Sequence, residues 1–193
     1  MFLADEELTM RLGEERLYLR PTLRAAARLE RRHGGFPAIS TAIGQVNVTV
    51  IADLIEECSG TSTDVLAALM QPGMLQDVVS NAPTLQAFVL DLMGYDPKAE
   101  NKSTRGPRIT FAEVHARLYG IATGWLGWSP SNAWDATPRE IMAAHAGRVD
   151  YLKATGVFKN EDGAEEPAGS VDDRFAALIQ RNQALATTFP EAA

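Results

Sequence analysis

The stretch Gly124-Trp125-Leu126-Gly127-Trp128-Ser129-Pro130-Ser131-Asn132-Ala133-Trp134-Asp135-Ala136-Thr137-Pro138-Arg139-Glu140-Ile141 places the tightest limits on the fold. It contains all three tryptophans of the chain, between positions 125 and 134. An indole must bury most of its ring, so three this close mark a packing centre or a docking surface. The stretch also holds two helix starts, Ser129-Pro130 and Thr137-Pro138-Arg139-Glu140. In each, a hydroxyl side chain stands at the cap and proline at the first helical position, where its missing N–H is not needed. The second adds Glu140 at the third position and so completes a capping box. A chain that starts two helices in so short a span is turning a corner.

Residues 110–155 therefore read as a helix, a tryptophan-rich corner and a returning helix, a helical hairpin. The incoming helix opens at the capping box Thr110-Phe111-Ala112-Glu113 and ends at Gly124 and Gly127. Its apolar stripe is Phe111, Val114, Leu118, Ile121, Ala122 and Trp125. On that stripe Trp125 is core. Trp128 and Trp134 fall off it and, with Leu126 and Ile141, are the candidate partner-binding residues, because exposed aromatics anchor interfaces. The returning helix carries Ile141, Met142, His145, Val149 and Leu152 and runs to about Ala154.

Upstream, residues 1–95 read as a β-hairpin on a bundle of short helices. Leu8, Met10 and Leu12 alternate with polar residues, Gly13-Glu14-Glu15 turns, and Leu17 and Leu19 alternate again. A lone hairpin is marginal in water, so it must pack on helices or pair with another chain's edge. Pro21-Thr22 opens a helix that His33-Gly34-Gly35 stops. Apolar spacing then marks short helical pieces at Ile39, Ile43 and Val46, at Val50 to Ile55, and at Val65 to Met70 behind the cap Thr63-Asp64. Met74 to Val79 reads as a further turn or two. Asn81-Ala82-Pro83 starts a separate helix from Thr84 to Met93.

Charge is distributed unevenly. The first 35 residues carry seven arginines, and from Phe36 to Pro97 there is no Lys or Arg at all. Arg24, Arg28 and Arg31 form one helical stripe, which in most helices is simply a solvated face. Asp53, Glu56 and Glu57 offer it a counterpart, within the chain or in a neighbouring copy. These six residues are the candidates for registering self-association, since complementary charge steers assembly.

Residues 96–109 read as a linker and residues 156–170 as an acidic Gly/Pro-containing tether. Residues 171–193 end the chain with an amphipathic helix carrying Val171, Phe175, Leu178, Ile179 and Leu185. The fold class expected is mainly α, with an N-terminal β-hairpin on short helices, a helical hairpin and a C-terminal amphipathic helix.

Chemistry is sparse. There is no phosphate-binding Gly-rich loop, no nucleophile elbow and no His-Glu-x-x-His. His115 and His145 with Ser129 and Asp135 are the residues from which a hydrolase would have to be assembled. Ser129 already has a role as a cap, and nothing supplies an oxyanion hole. Asp135, Glu140 and Asp150 are the carboxylates a metal would need, but on exposed helix faces such residues are common. No catalytic, cofactor or metal residues are expected, and no cofactor. Cys58 stands alone and reads as a small hydrophobe. A net charge of −7 speaks against nucleic acid as a partner. No apolar run spans a bilayer, and the start of the chain lacks the pattern of a signal peptide, which points to a reducing cytoplasm.

Two blocks resemble a known family. Leu118-Tyr119-Gly120, Trp125-Leu126-Gly127-Trp128-Ser129-Pro130, Trp134-Asp135-Ala136-Thr137-Pro138-Arg139-Glu140-Ile141 and Ala146-Gly147-Arg148 resemble the small helical tail assembly chaperones of long-tailed phages and gene transfer agents. Gly13-Glu14-Glu15-Arg16-Leu17-Tyr18-Leu19-Arg20, Leu29-Glu30 and the following glycine pair resemble the hairpin type of the same chaperones. Such segments are often separate proteins or frameshift products, whereas here they are continuous. The resemblance implies a non-enzymatic homo-oligomer in the host cytoplasm, absent from the mature virion. It would coat the tape measure protein and recruit tail tube protein. The alternative is a structural tail completion or connector protein of the virion.

Overall fold

The computed structural model describes residues 7–13, 15–60, 64–95 and 110–155. Strands β1 (Leu8–Leu12) and β2 (Glu15–Leu19) pair antiparallel, with Met10 opposite Leu17 and Leu8 opposite Leu19. The alternation read from the sequence puts Met10, Leu12, Leu17 and Leu19 on the buried face. Gly13 makes the turn at φ 60°, a conformation that disfavours a side chain. A Cβ there would also meet the Met74 Cε at 3.2 Å. The Gly13 N–H donates to the Asp77 carboxylate at 2.9 Å, which fixes the hairpin tip to a distant helix.

Helix α1 (Leu23–His33) is capped by Thr22, whose hydroxyl accepts from the Ala25 N–H. It ends on Gly34 in the left-handed region, and Arg31, Arg32 and His33 in its last turn complement the helix dipole. Leu23, Ala25, Ala26 and Leu29 are buried. Helices α2 (Phe36–Gly44), α3 (Val48–Ser59) and α4 (Val65–Leu69) follow, the last two capped by Asn47 and Asp64. Val46, expected on the apolar stripe of α2, lies beyond its end with φ 56°.

Helix α5 corrects the sequence reading. The two pieces expected around Asn81 are one helix, Met74–Leu92, with Pro83 inside it. Proline removes the bond to the Val79 carbonyl and crowds the preceding turn. Val78, Leu85, Val89 and Leu92 nevertheless stay on one buried face, and that continuous burial outweighs the local penalty.

Helix α6 (Phe111–Gly120) begins with the expected Thr110–Glu113 capping box. It runs into a π-helical turn, Ile121–Trp125, in which the Leu126 N–H donates to the Ile121 carbonyl five residues back. Ser129 caps α7 (Pro130–Asp135), and Thr137 with Glu140 caps α8 (Pro138–Ala154). The expected linker, the acidic tether and the C-terminal helix lie outside the described residues.

The protein is mainly helical, and one apolar core joins the hairpin, α1 to α6 and the first turn of α8. α1 lies at its centre, against α2, α3, α5, α6 and α7. Phe36 of α2 meets Phe111 of α6 edge-to-face at 4.9 Å. His115 packs beside both rings, buried, with its Nδ1 unpartnered. Burial pushes its pKa down to about 4.

Two predictions follow from these packing features. The folded state resists protonating His115, so stability falls as pH drops from about 6.5 towards 4. Urea unfolding of His115→Leu should lack about 2 kcal/mol of the wild-type loss between pH 7 and pH 5. Pro83 is exposed, so Pro83→Ala should restore the helix bond and stabilise the protein by about 1–3 kcal/mol, read in the same unfolding experiment.

Candidate functional site

The basic stripe is engaged largely inside the chain. Arg24 reaches Asp135 at the end of α7 (2.9 Å), and Arg28 and Arg32 both reach Glu57 on α3 (3.2 and 2.7 Å). Asp53 pairs with Arg32, and the His33 Nε2 lies 3.2 Å from the same carboxylate without a hydrogen bond. Glu56 accepts from the Val65 N–H instead and holds the start of α4. Of the six residues expected to register self-association, Arg24, Arg28, Asp53 and Glu57 thus form ion pairs within one copy, and Arg31 faces solvent. Arg20 adds a pair to Glu140, and Arg139 bonds both Asp91 and the Tyr95 carbonyl. The Leu23 N–H donates to the Ala136 carbonyl at 2.8 Å. These ties fasten the tryptophan corner to α1 and α5.

At the corner two residues depart from expectation: Trp125 lies outside the core and Ile141 inside it. Trp125, expected in the core, is 50% exposed and meets His145 edge-on at 5.6 Å. The wider π turn is the cause, because it rotates Trp125 away from the stripe that an unbroken α-helix would continue. Trp134, expected at a partner surface, stacks on Tyr119 at 4.7 Å. Trp128 and Trp134 are half-buried against the core, and Leu126 is half-buried. Ile141, expected at a partner surface, is fully buried in the core. Ala133, Ala136 and Thr137 are buried beside it in sequence, so this side of the corner faces inward.

The residues a hydrolase would need are not brought together. The Ser129 hydroxyl accepts from the Asn132 N–H, and Asp135 holds Arg24 and Ser131. Hydrogen bonds from Arg24 and Ser131 keep the Asp135 carboxyl below its usual range. His115 is in the core. Among the described residues no group of His, Cys, Asp and Glu gathers as a metal site. Cys58 is buried, and burial pushes its thiol pKa up, so little thiolate is present near neutral pH.

The feature the sequence reading missed is a groove between α6 and α8. Val114, Leu118 and Ile121 form one wall, and Met142, Ala146 and Val149 form the other. Both sets repeat at i, i+4 and i+7, the spacing of a helical stripe. His145 enters the groove, and Arg117 and Asp150 complete its lining. The cavity measures about 340 Å³ and is mostly apolar. Beyond Ile141, no described residue of α8 is fully buried. An isolated helix of this length is marginal in water, so the outer half of α8 lacks the cover that stabilises most helices. Comparison with family models, with curated proteins and with solved structures returned no match.

The reversal is measurable by urea denaturation. Ile141→Ala should cost about 2–5 kcal/mol. Trp125→Ala, which removes a half-exposed ring and its edge contact with His145, should cost only about 0.5–1.5 kcal/mol.

Proposed function

We propose that the protein is a non-enzymatic tail assembly chaperone that takes apolar helical segments of a tape measure protein into the groove between α6 and α8. The observation that carries this reading is the groove: apolar side chains of α6 and α8 flank a cavity of about 340 Å³, and Trp125 packs on His145 of its lining. A third amphipathic helix completes such a pair by placing its i, i+3, i+4 and i+7 anchors between the walls. Tape measure proteins are long and helical, and their exposed apolar faces aggregate unless covered, so the shape suits that client. The resemblance of the corner to phage and gene-transfer-agent chaperones points the same way.

On this reading tail tube protein is the second partner and the chain acts as a homo-oligomer. It would work in the host cytoplasm and be absent from the mature virion. No helix among the described residues is long and apolar enough to cross a membrane. Arg31 on α1 and the exposed side chains Leu66, Met70, Leu75 and Val79 on and after α4 lie outside the groove. They supply surface for further contacts without competing for the client.

The test is co-expression with a phage tape measure protein. The wild-type chain should keep that protein soluble and co-purify with it. The double variant Met142→Asp/Val149→Asp should lose at least about tenfold in capture, since a buried unpaired charge costs several kcal/mol, while keeping its circular dichroism. Tape measure protein that remains insoluble with the wild-type chain, and no complex with tube protein, would refute the proposal. Abundant chain in purified particles would favour a structural role instead.

A further inference from the structure

The groove has a candidate occupant in the chain itself. α8 forms one wall and is the last described element, so the chain leaves the body at the end of the groove. Residues 156–193 follow. Within them Val171, Phe175, Leu178 and Leu185 repeat at four, three and seven residues, the same stripe that lines the groove walls. Helical rise places Val171 and Leu178 about 10 Å apart, which matches the distance from Met142 to Val149 on the wall. The fifteen residues 156–170 are enough to reach about 20 Å even as a random coil, ample for the segment to return to the groove.

Charge agrees with that direction. The segment opens with Asp172 and Asp173, preceded by Glu165 and Glu166. The groove lining carries Arg117 and Asp150, and Arg148 and Lys153 on the last turns of α8 leave that end net positive. An antiparallel return along α8 sets the acidic start against this basic end. It also leads Leu185 towards Met142 and Trp125. A tethered segment acts at an effective concentration near millimolar, which few free partners reach.

We propose that residues 171–189 dock as an amphipathic helix in the groove of the same chain, so that a client helix must displace them. The docking rests on the groove and the segment alone. Its meaning as regulation rests on the chaperone reading above.

The probe is a fluorescein-labelled peptide of residues 171–189, titrated by polarisation against the full chain and against the full chain carrying Leu178→Asp. That substitution lies outside the described core and leaves the groove intact. The variant chain should bind the peptide about tenfold or more tighter than wild type, because its own segment no longer competes. Hydrogen exchange of amides 142–152 should be faster in the free variant than in wild type, and slow again when peptide is added. A peptide that itself carries Leu178→Asp should not bind. Equal peptide affinity for both chains, or none for either, overturns the proposal. A dimer that dissociates on Leu178→Asp also overturns it, by placing the segment in a neighbouring copy. Peptide binding without capture of tape measure protein keeps the docking and removes the chaperone reading. Capture with no exchange difference does the reverse.

Discussion

Everything in the structure hangs on the apolar face of α1. Leu23 and Leu29 are fully buried, and Ala25 and Ala26 between them are nearly so. Leucine supplies area, and alanine lets neighbouring backbones approach. That combination lets one helix of eleven residues meet the short helices after it and the hairpin of α6 and α7 at once. Without it, the short helices and the tryptophan corner would be two small bodies, each with too little core to be stable.

The charge asymmetry acquires a different sense in this light. Arginines around α1 reach outward to Asp135 and Glu57 and so outline the same contacts that its leucines make. Most of these pairs are partly exposed, where each contributes about 0–1 kcal/mol. Their value lies in register. They disfavour a rotated α1, because rotation would set arginine against leucine. An uneven charge pattern in sequence can therefore mark an internal seam as readily as a surface between copies.

Local signals in the sequence were faithful where the chemistry is local. The caps at Thr110, Ser129 and Thr137 stand where a hydroxyl side chain followed by proline or Glu said they would, and Thr22 and Asp64 cap where a helix start was read. The hairpin and its buried face followed from alternation alone. Two features escaped, and both depend on distant packing. Pro83 reads as a helix start by every local rule, yet burial of Val78 and Leu85 on one face carries the helix through it. The π turn has no periodic signature, so the stripe was extended one turn too far and Trp125 was assigned to the core. The groove was hidden for a related reason. Val114 and Leu118 serve both core and groove, and periodicity cannot divide one residue between two neighbours.

The central position of α1 also sets a schedule. Its partner α6 begins roughly 90 residues later in the chain, so at ribosomal speeds the second side of α1 waits about 5–20 s for its cover. During that interval the nascent chain presents leucine and alanine beside a row of arginines. Arg28 and Arg32 find Glu57 early, whereas Arg20 and Arg24 wait for Glu140 and Asp135 of the tryptophan corner. The same helix is thus fastened by two sets of ion pairs that become available at different times in synthesis.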